Sequence, residues 1–167
     1  MDTRPTTDKV KESMFNIIQF EIEGRKVLDL FGGTGQLGIE ALSRGAQRCI
    51  FVDQRREAAA LIRENLKMVG FEDRAKVVQG ESLSFLSACR EKFDVIFLDP
   101  PYQSGLLEKC VAQIVQFDIL GEYGIIVCES PAEWNIPPLA PPYEAGREYR
   151  YGKIKLTICR RNGSVER

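Results

Sequence analysis

The stretch Asp99-Pro100-Pro101-Tyr102 holds the residue types best suited to chemistry in this chain. It follows the apolar run 93–98, which predicts a buried strand of a parallel sheet. Because prolines donate no backbone hydrogen bond, the chain should leave the sheet extended at the carboxyl end of that strand, where open α/β sheets bind ligands. The Asp99 carboxylate and the Pro100 carbonyl can accept N–H hydrogens, and Tyr102 can stack on a planar ring.

These four residues are therefore candidate catalytic residues acting on the exocyclic amine of a nucleobase. If both hydrogens of such an amine are drawn to acceptors, its lone pair delocalises less into the ring and becomes a better nucleophile. The alternative is a plain strand end followed by a Pro-Pro turn and an exposed tyrosine.

A glycine-rich turn follows the first apolar run, Lys26 to Phe31. Gly33, Gly35 and Gly38 have the spacing G-x-G-x-x-G, and Asp53 ends the next apolar run. Glycines let the backbone approach a ligand closely, and an acid at this distance can accept hydrogen bonds from ribose hydroxyls. Taken alone, this pattern predicts a dinucleotide site, and a nicotinamide-dependent dehydrogenase is one hypothesis.

Three features favour S-adenosylmethionine over a dinucleotide. Asp29 lies just before the glycines, where a buried carboxylate suits an ammonium and a sulfonium better than a pyrophosphate. The chain has no histidine, a common proton donor in hydride transfer, although Tyr102 could serve. Finally, the residues 99–102 have a role in methyl transfer and none that we can state in hydride transfer.

Methyl transfer then needs alignment rather than a metal, because the sulfonium already activates the methyl group. Asp53 would anchor the ribose, the turn at Gly33 and Gly35 would admit the methionine half, and Asp29 would supply negative charge. Glu81 would meet the adenine edge, or else be a solvated acid near a helix start. The candidate cofactor contacts from this reasoning are Asp29, Phe31, Gly33, Thr34, Gly35, Asp53, Gln54, Glu81 and Ser82, of which Phe31 could instead belong to the core.

Composition is that of an ordinary globular chain of 167 residues, with 44% hydrophobic and 28% charged residues. The lack of histidine excludes His-based triads and His-ligated metals, and no metal is expected. The five cysteines lack CxxC spacing, which indicates reduced core residues of a cytoplasmic protein. No apolar run is long enough to span a membrane. The net charge is −1, but residues 147–167 contain seven Lys/Arg and two Glu, a local +5 that could hold phosphates.

The chain reads as strand-helix units repeated five times, which predicts one domain with a parallel, doubly wound sheet. A proline-rich surface loop at 131–142 should then lead to a hairpin that closes the sheet with antiparallel strands. Thr6 or Thr7 should cap the first helix, and Ser82 should cap the fourth. The predicted strands are 26–31, 49–52, 75–79, 93–98, 124–128, 143–151 and 153–160, and the predicted helices are 8–19, 39–44, 57–69, 82–90 and 106–117.

Motifs along nearly the whole chain resemble the RsmD family: RPTTDKVKESMFN (4–16), VLDLFGGTGQLGIEALSRGA (27–46), FVD (51–53), SLSFL (82–86), DVIFLDPPY (94–102) and YRYGK (149–153). This resemblance implies a Rossmann-like methyltransferase fold with seven strands, the last antiparallel, and Thr6 and Thr7 over the cofactor. It implies S-adenosylmethionine-dependent methylation of a guanine N2 amine in small-subunit ribosomal RNA, with S-adenosylhomocysteine as product.

Family members carry a further basic hairpin before RPTTD, which is expected to be absent here. The expected partner is ribosomal RNA or a small ribosomal subunit particle, and the expected state is a cytoplasmic monomer. An adenine-N6 nucleic-acid methyltransferase is the main alternative, since the same acceptors suit any exocyclic amine.

Overall fold

The computed structural model describes residues 8–101 and 105–163, which form one seven-stranded sheet with helices on both faces. The predicted roles of Thr6, Thr7 and Tyr102 lie outside the described residues. The strands are β1 (Lys26–Asp29), β2 (Arg48–Asp53), β3 (Ala75–Gln79), β4 (Phe93–Leu98), β5 (Leu120–Pro131), β6 (Tyr143–Tyr151) and β7 (Ile154–Arg161). The helices are α1 (Asp8–Ile17), α2 (Gln36–Ser43), α3 (Arg56–Val69), α4 (Ser82–Ala88) and α5 (Leu106–Phe117), with a single 3₁₀ turn at Glu72–Arg74.

The strand order across the sheet is β3-β2-β1-β4-β5-β7-β6. Strands β1 to β5 pair in parallel, while β7 is antiparallel to both of its neighbours. The predicted fold class is confirmed: a Rossmann-like, mostly parallel sheet closed by an antiparallel C-terminal hairpin. The carboxyl ends of β1 to β5 therefore lie along one edge of the sheet, where ligands bind in such folds.

The core has two layers, one on each face of the sheet. Helices α1, α2 and α3 cover one face, with Met14, Phe15 and Ile62 among its fully buried side chains. Helices α4 and α5 cover the other face, where Cys110 and Ile114 are fully buried. Since the central strands are covered on both sides, they read as continuous apolar runs rather than alternating ones.

Three predicted boundaries were wrong in ways that matter for the site. Helix α2 begins at Gln36, not at Ile39, so Gly38 lies inside the helix. Helix α4 is capped by the Glu81 side chain, not by Ser82, because the carboxylate accepts a hydrogen bond from the Ser84 amide at 2.9 Å. Strand β5 continues past Cys128 to Pro131, because its residues from Ile125 to Pro131 pair with β7.

The proline-rich segment after β5 is irregular, as predicted, but it is not merely a solvated loop. Trp134, Ile136 and Leu139 pack against the layer formed by α4 and α5. This segment therefore adds to the apolar layer on the same face of the sheet as α4 and α5. Among the described residues, no helix is both long enough and apolar enough to cross a membrane.

Candidate functional site

Three aspartates meet at the carboxyl edge of the sheet, each at the end of its own strand. Asp29 is the last residue of β1, Asp53 is the last residue of β2, and Asp99 directly follows β4. Asp29 pairs in register with Phe51 and Phe97, so the aspartate lies between the ends of β2 and β4. Since β2, β1 and β4 are neighbours in the sheet, the three acids lie along one edge of it.

Asp29 is almost fully buried, and its carboxylate accepts a hydrogen bond from the Gly38 amide at 3.1 Å. Burial raises the pKa of Asp29 to about 7, the Gly38 hydrogen bond opposes the rise, and the negative charges of Asp99 and Asp53 add to it. A nearby cation would favour the ionised form of this acid. The position therefore suits a positively charged ligand group.

The glycine turn forms a tight loop between β1 and α2, with one side of its backbone open. Gly33 and Gly35 have positive φ angles of 60° and 86°, which side chains rarely adopt. The Asn65 side chain donates a hydrogen bond to the Thr34 carbonyl at 2.9 Å, which ties the loop to α3. A Cβ placed on Gly33 would meet no atom within 4 Å, so space adjoins the backbone here.

Gly38 serves packing rather than ligand approach. A Cβ at this position would lie 2.3 Å from the Phe51 ring and 2.7 Å from the Cys49 sulfur. Only glycine lets α2 approach β2 this closely, and that approach brings the Gly38 amide to Asp29. The third glycine of the G-x-G-x-x-G pattern thus places the helix start against the acidic edge.

Asp53 is buried and already accepts four hydrogen bonds. The Gly33 amide donates to its Oδ2 at 2.9 Å, and the Arg55 amide donates to its Oδ1 at 2.9 Å. The Arg55 guanidinium adds Nε to Oδ1 at 3.1 Å and Nη2 to Oδ2 at 3.2 Å. Burial by itself would raise the pKa of Asp53, but these hydrogen bonds outweigh it and lower the pKa below its ordinary value.

The other predicted cofactor contacts lie around the same edge with differing exposure. Gln54 and Glu81 are exposed, Ser82 is buried, and Phe31 is partly buried against the layer of α4 and α5. Glu81 follows β3, whose neighbour in the sheet is β2. Its carboxylate accepts hydrogen bonds from the amide and the hydroxyl of Ser84.

The residues predicted to be catalytic begin where β4 stops. Leu98 is buried and pairs with Cys128 on β5, after which Asp99 is half-buried, Pro100 is buried and Pro101 is exposed. The charge of Asp99 reaches Asp29, which places the first catalytic candidate beside the acidic edge.

Two residues of this edge were missed. Arg55 pairs with Asp53, and the basic residue two positions after the acid was the only signal for it. Glu129 is buried on β5 one residue past Cys128, the partner of Leu98. An acid after an apolar run was its signal, as for Asp53 and Asp99, but the predicted strand ended at Cys128, three residues before its observed end.

No group of three or more His, Cys, Asp or Glu side chains within residues 8–101 and 105–163 has the arrangement of a metal site. All five cysteines are free thiols. Four of them are buried, and Cys89, which was also expected in the core, is partly exposed.

Known proteins share both the sequence and the fold of this chain. The family described as Conserved hypothetical protein 95 matches residues 1–160. The Bacillus subtilis protein YlbH is 40% identical over 164 residues, covering 96% of this chain and 89% of the relative. Ribosomal RNA small subunit methyltransferase D of Escherichia coli K12 is 31% identical over 163 residues, covering 98% and 82%.

Among solved structures, the Escherichia coli protein yhhF superposes with a TM-score of 0.89 at 30% identity, covering 97% of this chain and 90% of that one. An RNA methyltransferase from Salinibacter ruber in complex with S-adenosyl-L-homocysteine gives 0.75 at 17% identity, covering 98% and 97%, which speaks to the fold alone. From its motifs, its strand order and these matches, the chain belongs to the Conserved hypothetical protein 95 family, the RsmD family of S-adenosylmethionine-dependent RNA methyltransferases.

Proposed function

We propose that this protein transfers the methyl group of S-adenosylmethionine to the exocyclic N2 amine of a guanine in small-subunit ribosomal RNA. One observation supports this most: Asp99 follows β4, the neighbour of β1, and its charge acts on the buried Asp29, so the proposed amine acceptors lie next to the proposed cofactor site. The Escherichia coli relative is a ribosomal RNA small subunit methyltransferase by name, which supports small-subunit ribosomal RNA as the substrate class.

The residues at this edge fit S-adenosylmethionine by charge and by shape. The cofactor supplies a methyl group already activated by its positively charged sulfur. Asp29 offers a buried carboxylate for that positive charge, and the open space next to Gly33 leaves room along the backbone. Asp53 would accept the ribose hydroxyls, while Glu81 and Gln54 follow the neighbouring strands where an adenine edge would lie. Ser82, Phe31, Thr34 and Gly35 complete the proposed contacts.

Asp99 and Pro100 would hold the target amine by its two hydrogens. Two acceptors on one NH₂ group keep the nitrogen lone pair out of the ring and aim it at the methyl carbon. As the new N–C bond forms and the C–S bond breaks, positive charge moves to the nitrogen. The Asp99 carboxylate is then placed to take the proton that the nitrogen must release.

The base itself must be held flat against the reacting groups. Tyr102 is proposed to stack on it, and Pro101, by fixing the backbone between Pro100 and Tyr102, to set the stacking height. These residues would act by positioning, since the activated methyl group needs no acid catalyst. Holding the amine, methyl carbon and sulfur in line provides most of the rate enhancement expected here.

The test removes the charge at residue 99 without changing its shape. We expect Asp99→Asn to bind S-adenosylhomocysteine as wild type does and to lose methyl transfer to small-subunit RNA or particles by at least about a hundredfold, since it loses both the charged acceptor and the proton acceptor. Asp94→Asn is the matched control, because Asp94 lies at the other end of β4 and accepts a hydrogen bond from the Lys26 amide. Transfer at the wild-type rate by Asp99→Asn would contradict the proposed role.

A further inference from the structure

Resting on the ribose role proposed for Asp53, we propose that Arg55 competes with the cofactor ribose for the Asp53 carboxylate. The Arg55 side chain would then weaken cofactor binding and must swing aside when the cofactor enters. Its position sets how strongly the adenosine half is held.

The first observation is that every hydrogen-bond acceptor position of the Asp53 carboxylate is occupied. A carboxylate has about four lone-pair positions, two on each oxygen. Two are taken by the backbone amides of Gly33 and Arg55, at 2.9 Å each. The other two are taken by Nε and Nη2 of the Arg55 guanidinium, at 3.1 and 3.2 Å. No position is left for a ribose hydroxyl.

The second observation is that the guanidinium and a ribose diol need the same geometry. Nε and Nη2 donate side by side, one to each carboxylate oxygen. The vicinal hydroxyls of a ribose would donate to the same two oxygens. The two amide hydrogen bonds fix the carboxylate in place and do not conflict with either partner, so the guanidinium alone stands in the way.

The third observation is that only one of the two partners can move. Asp53 is 8% exposed and ends a central strand, whereas the Arg55 side chain is 55% exposed and precedes α3. Every hydrogen bond recorded for the Arg55 side chain within the described residues goes to Asp53. Water can therefore replace Asp53 as its partner, so this ion pair, which is buried on the Asp53 side and exposed on the Arg55 side, can open.

The experiment measures the dissociation constant of S-adenosylhomocysteine by calorimetry for wild type, Arg55→Met and Arg56→Met. Arg56 is the adjacent exposed arginine and serves as the matched control. Loss of an ion pair whose arginine is exposed changes an equilibrium constant by a factor of about two to five. We expect Arg55→Met to bind that much more tightly and Arg56→Met to bind as wild type. Unchanged or weaker binding by Arg55→Met would overturn the proposal.

A pair of nucleosides shows whether the competition is for the diol. We expect Arg55→Met to improve the binding of adenosine and to leave 2′,3′-dideoxyadenosine unaffected, because a ligand without hydroxyls does not displace the guanidinium. An equal gain for both nucleosides would mean that Arg55 acts on another part of the ligand, and would refute the competition.

The same measurements separate this proposal from the one it rests on. If wild type binds both nucleosides equally and Asp53→Ala keeps its affinity for S-adenosylhomocysteine, the ribose role of Asp53 fails and the Arg55 proposal fails with it. If wild type prefers adenosine but Arg55→Met shows no gain, the ribose role stands and only the competition by Arg55 is disproved.

Discussion

At the scale of single residues, the two buried aspartates of the site differ in what surrounds them. Asp53 accepts four hydrogen bonds that favour its ionised form, and its pKa lies below the ordinary value. Asp29 accepts one, from Gly38, and faces two negative neighbours, so its pKa is raised to about 7. Asp53 is therefore an anion held in place by its hydrogen bonds, and Asp29 becomes fully charged only when positive charge is close.

Asp53→Ala should weaken cofactor binding. Hydrogen bonds to a charged group contribute about 1.5–3 kcal/mol each, so losing those to the ribose should raise the dissociation constant of S-adenosylhomocysteine at least about tenfold. Asp73→Ala, which removes an exposed acid from the 3₁₀ turn, is the control and should bind normally. An unchanged constant for Asp53→Ala would argue against contact with the ribose.

Asp29→Asn should change how stability depends on pH. An unfolded aspartate has a pKa of about 3.9, and Asp29 in the folded protein has a pKa of about 7, so the folded state binds the proton more tightly. The stability gained from that proton is complete below the unfolded pKa and is lost as the pH rises through about 7. Asparagine resembles the protonated acid and does not undergo this loss.

Thermal unfolding of both proteins between pH 4 and pH 8 measures the effect. We expect the melting temperature of Asp29→Asn to rise relative to wild type from pH 4 to about pH 7 and then level off, with a final difference of a few kcal/mol in unfolding free energy. A difference that stays constant across this pH range would show that the Asp29 carboxyl is not held in its neutral form.

At the scale of elements, the position of the site depends on how closely α2 approaches β2. Gly38 faces the Phe51 ring and the Cys49 sulfur, with no room for a methyl group. We expect Gly38→Ala to lower the unfolding free energy by about 1–2 kcal/mol, because overpacking this close costs about 2–3 kcal/mol, the upper part of its usual range, while alanine regains about 1 kcal/mol of helix propensity.

Gly80→Ala is the comparison, since its Cβ would meet only Val78 at an ordinary 3.7 Å. Urea unfolding of the two variants gives both free energies. If Gly38→Ala is as stable as Gly80→Ala, α2 has room to shift and does not fix the Asp29 contact.

The hairpin of β6 and β7 is anchored at the opposite end of the sheet from the site. Asp118, which follows α5, accepts hydrogen bonds from the Tyr143 hydroxyl at 2.7 Å and from the Arg161 guanidinium at 2.8 Å. The Arg161 hydrogen bonds lead the set of contacts that hold the pKa of Asp118 well below its usual range. This polar cluster ties the start of β6 and the end of β7 to the end of α5.

The elements were predictable where local signals agree. Strands β3, β4 and β6 and helix α5 fall at the predicted positions, because apolar runs bounded by turn residues mark them clearly. The extension of β5 and the order of β7 and β6 depend on long-range pairing, which no local pattern encodes. The cap of α4 was missed because serine is the commoner N-cap residue. Here Glu81, one residue before Ser82, accepts the capping hydrogen bond instead.

The acids of the candidate site could be found in the sequence for the same reason. Their side-chain contacts could not. Acids that end apolar runs identified Asp29, Asp53 and Asp99 from the sequence, since the ends of parallel strands must meet. The pairing of Asp53 with Arg55 was not predictable, because it depends on the side-chain conformation of an exposed arginine. The spacing of two residues was the only signal, and it did not specify which carboxylate oxygens the Arg55 guanidinium would contact.

At the scale of the whole molecule, the charges are divided in a way that suits an RNA enzyme with a cationic cofactor. The net charge is −1, yet residues 147–167 carry a local +5, while the edge that ends β1, β2 and β4 carries three aspartates. Negative charge at the cofactor edge favours the sulfonium, and the basic C-terminal part can favour phosphates. Arg160 and Arg161 of this basic part form ion pairs with Glu21 and Asp118. We therefore expect its other basic residues to contribute most to any attraction for RNA phosphates.

The most direct test of the account is the identity of the methylated base. Wild type and Asp99→Asn are incubated with small-subunit ribosomal RNA or particles and isotopically labelled S-adenosylmethionine, and the labelled nucleoside is identified by mass spectrometry. We expect the label in N2-methylguanosine with wild type and in no nucleoside with Asp99→Asn. Label in N6-methyladenosine, or equal labelling of guanosine by both proteins, would contradict the account.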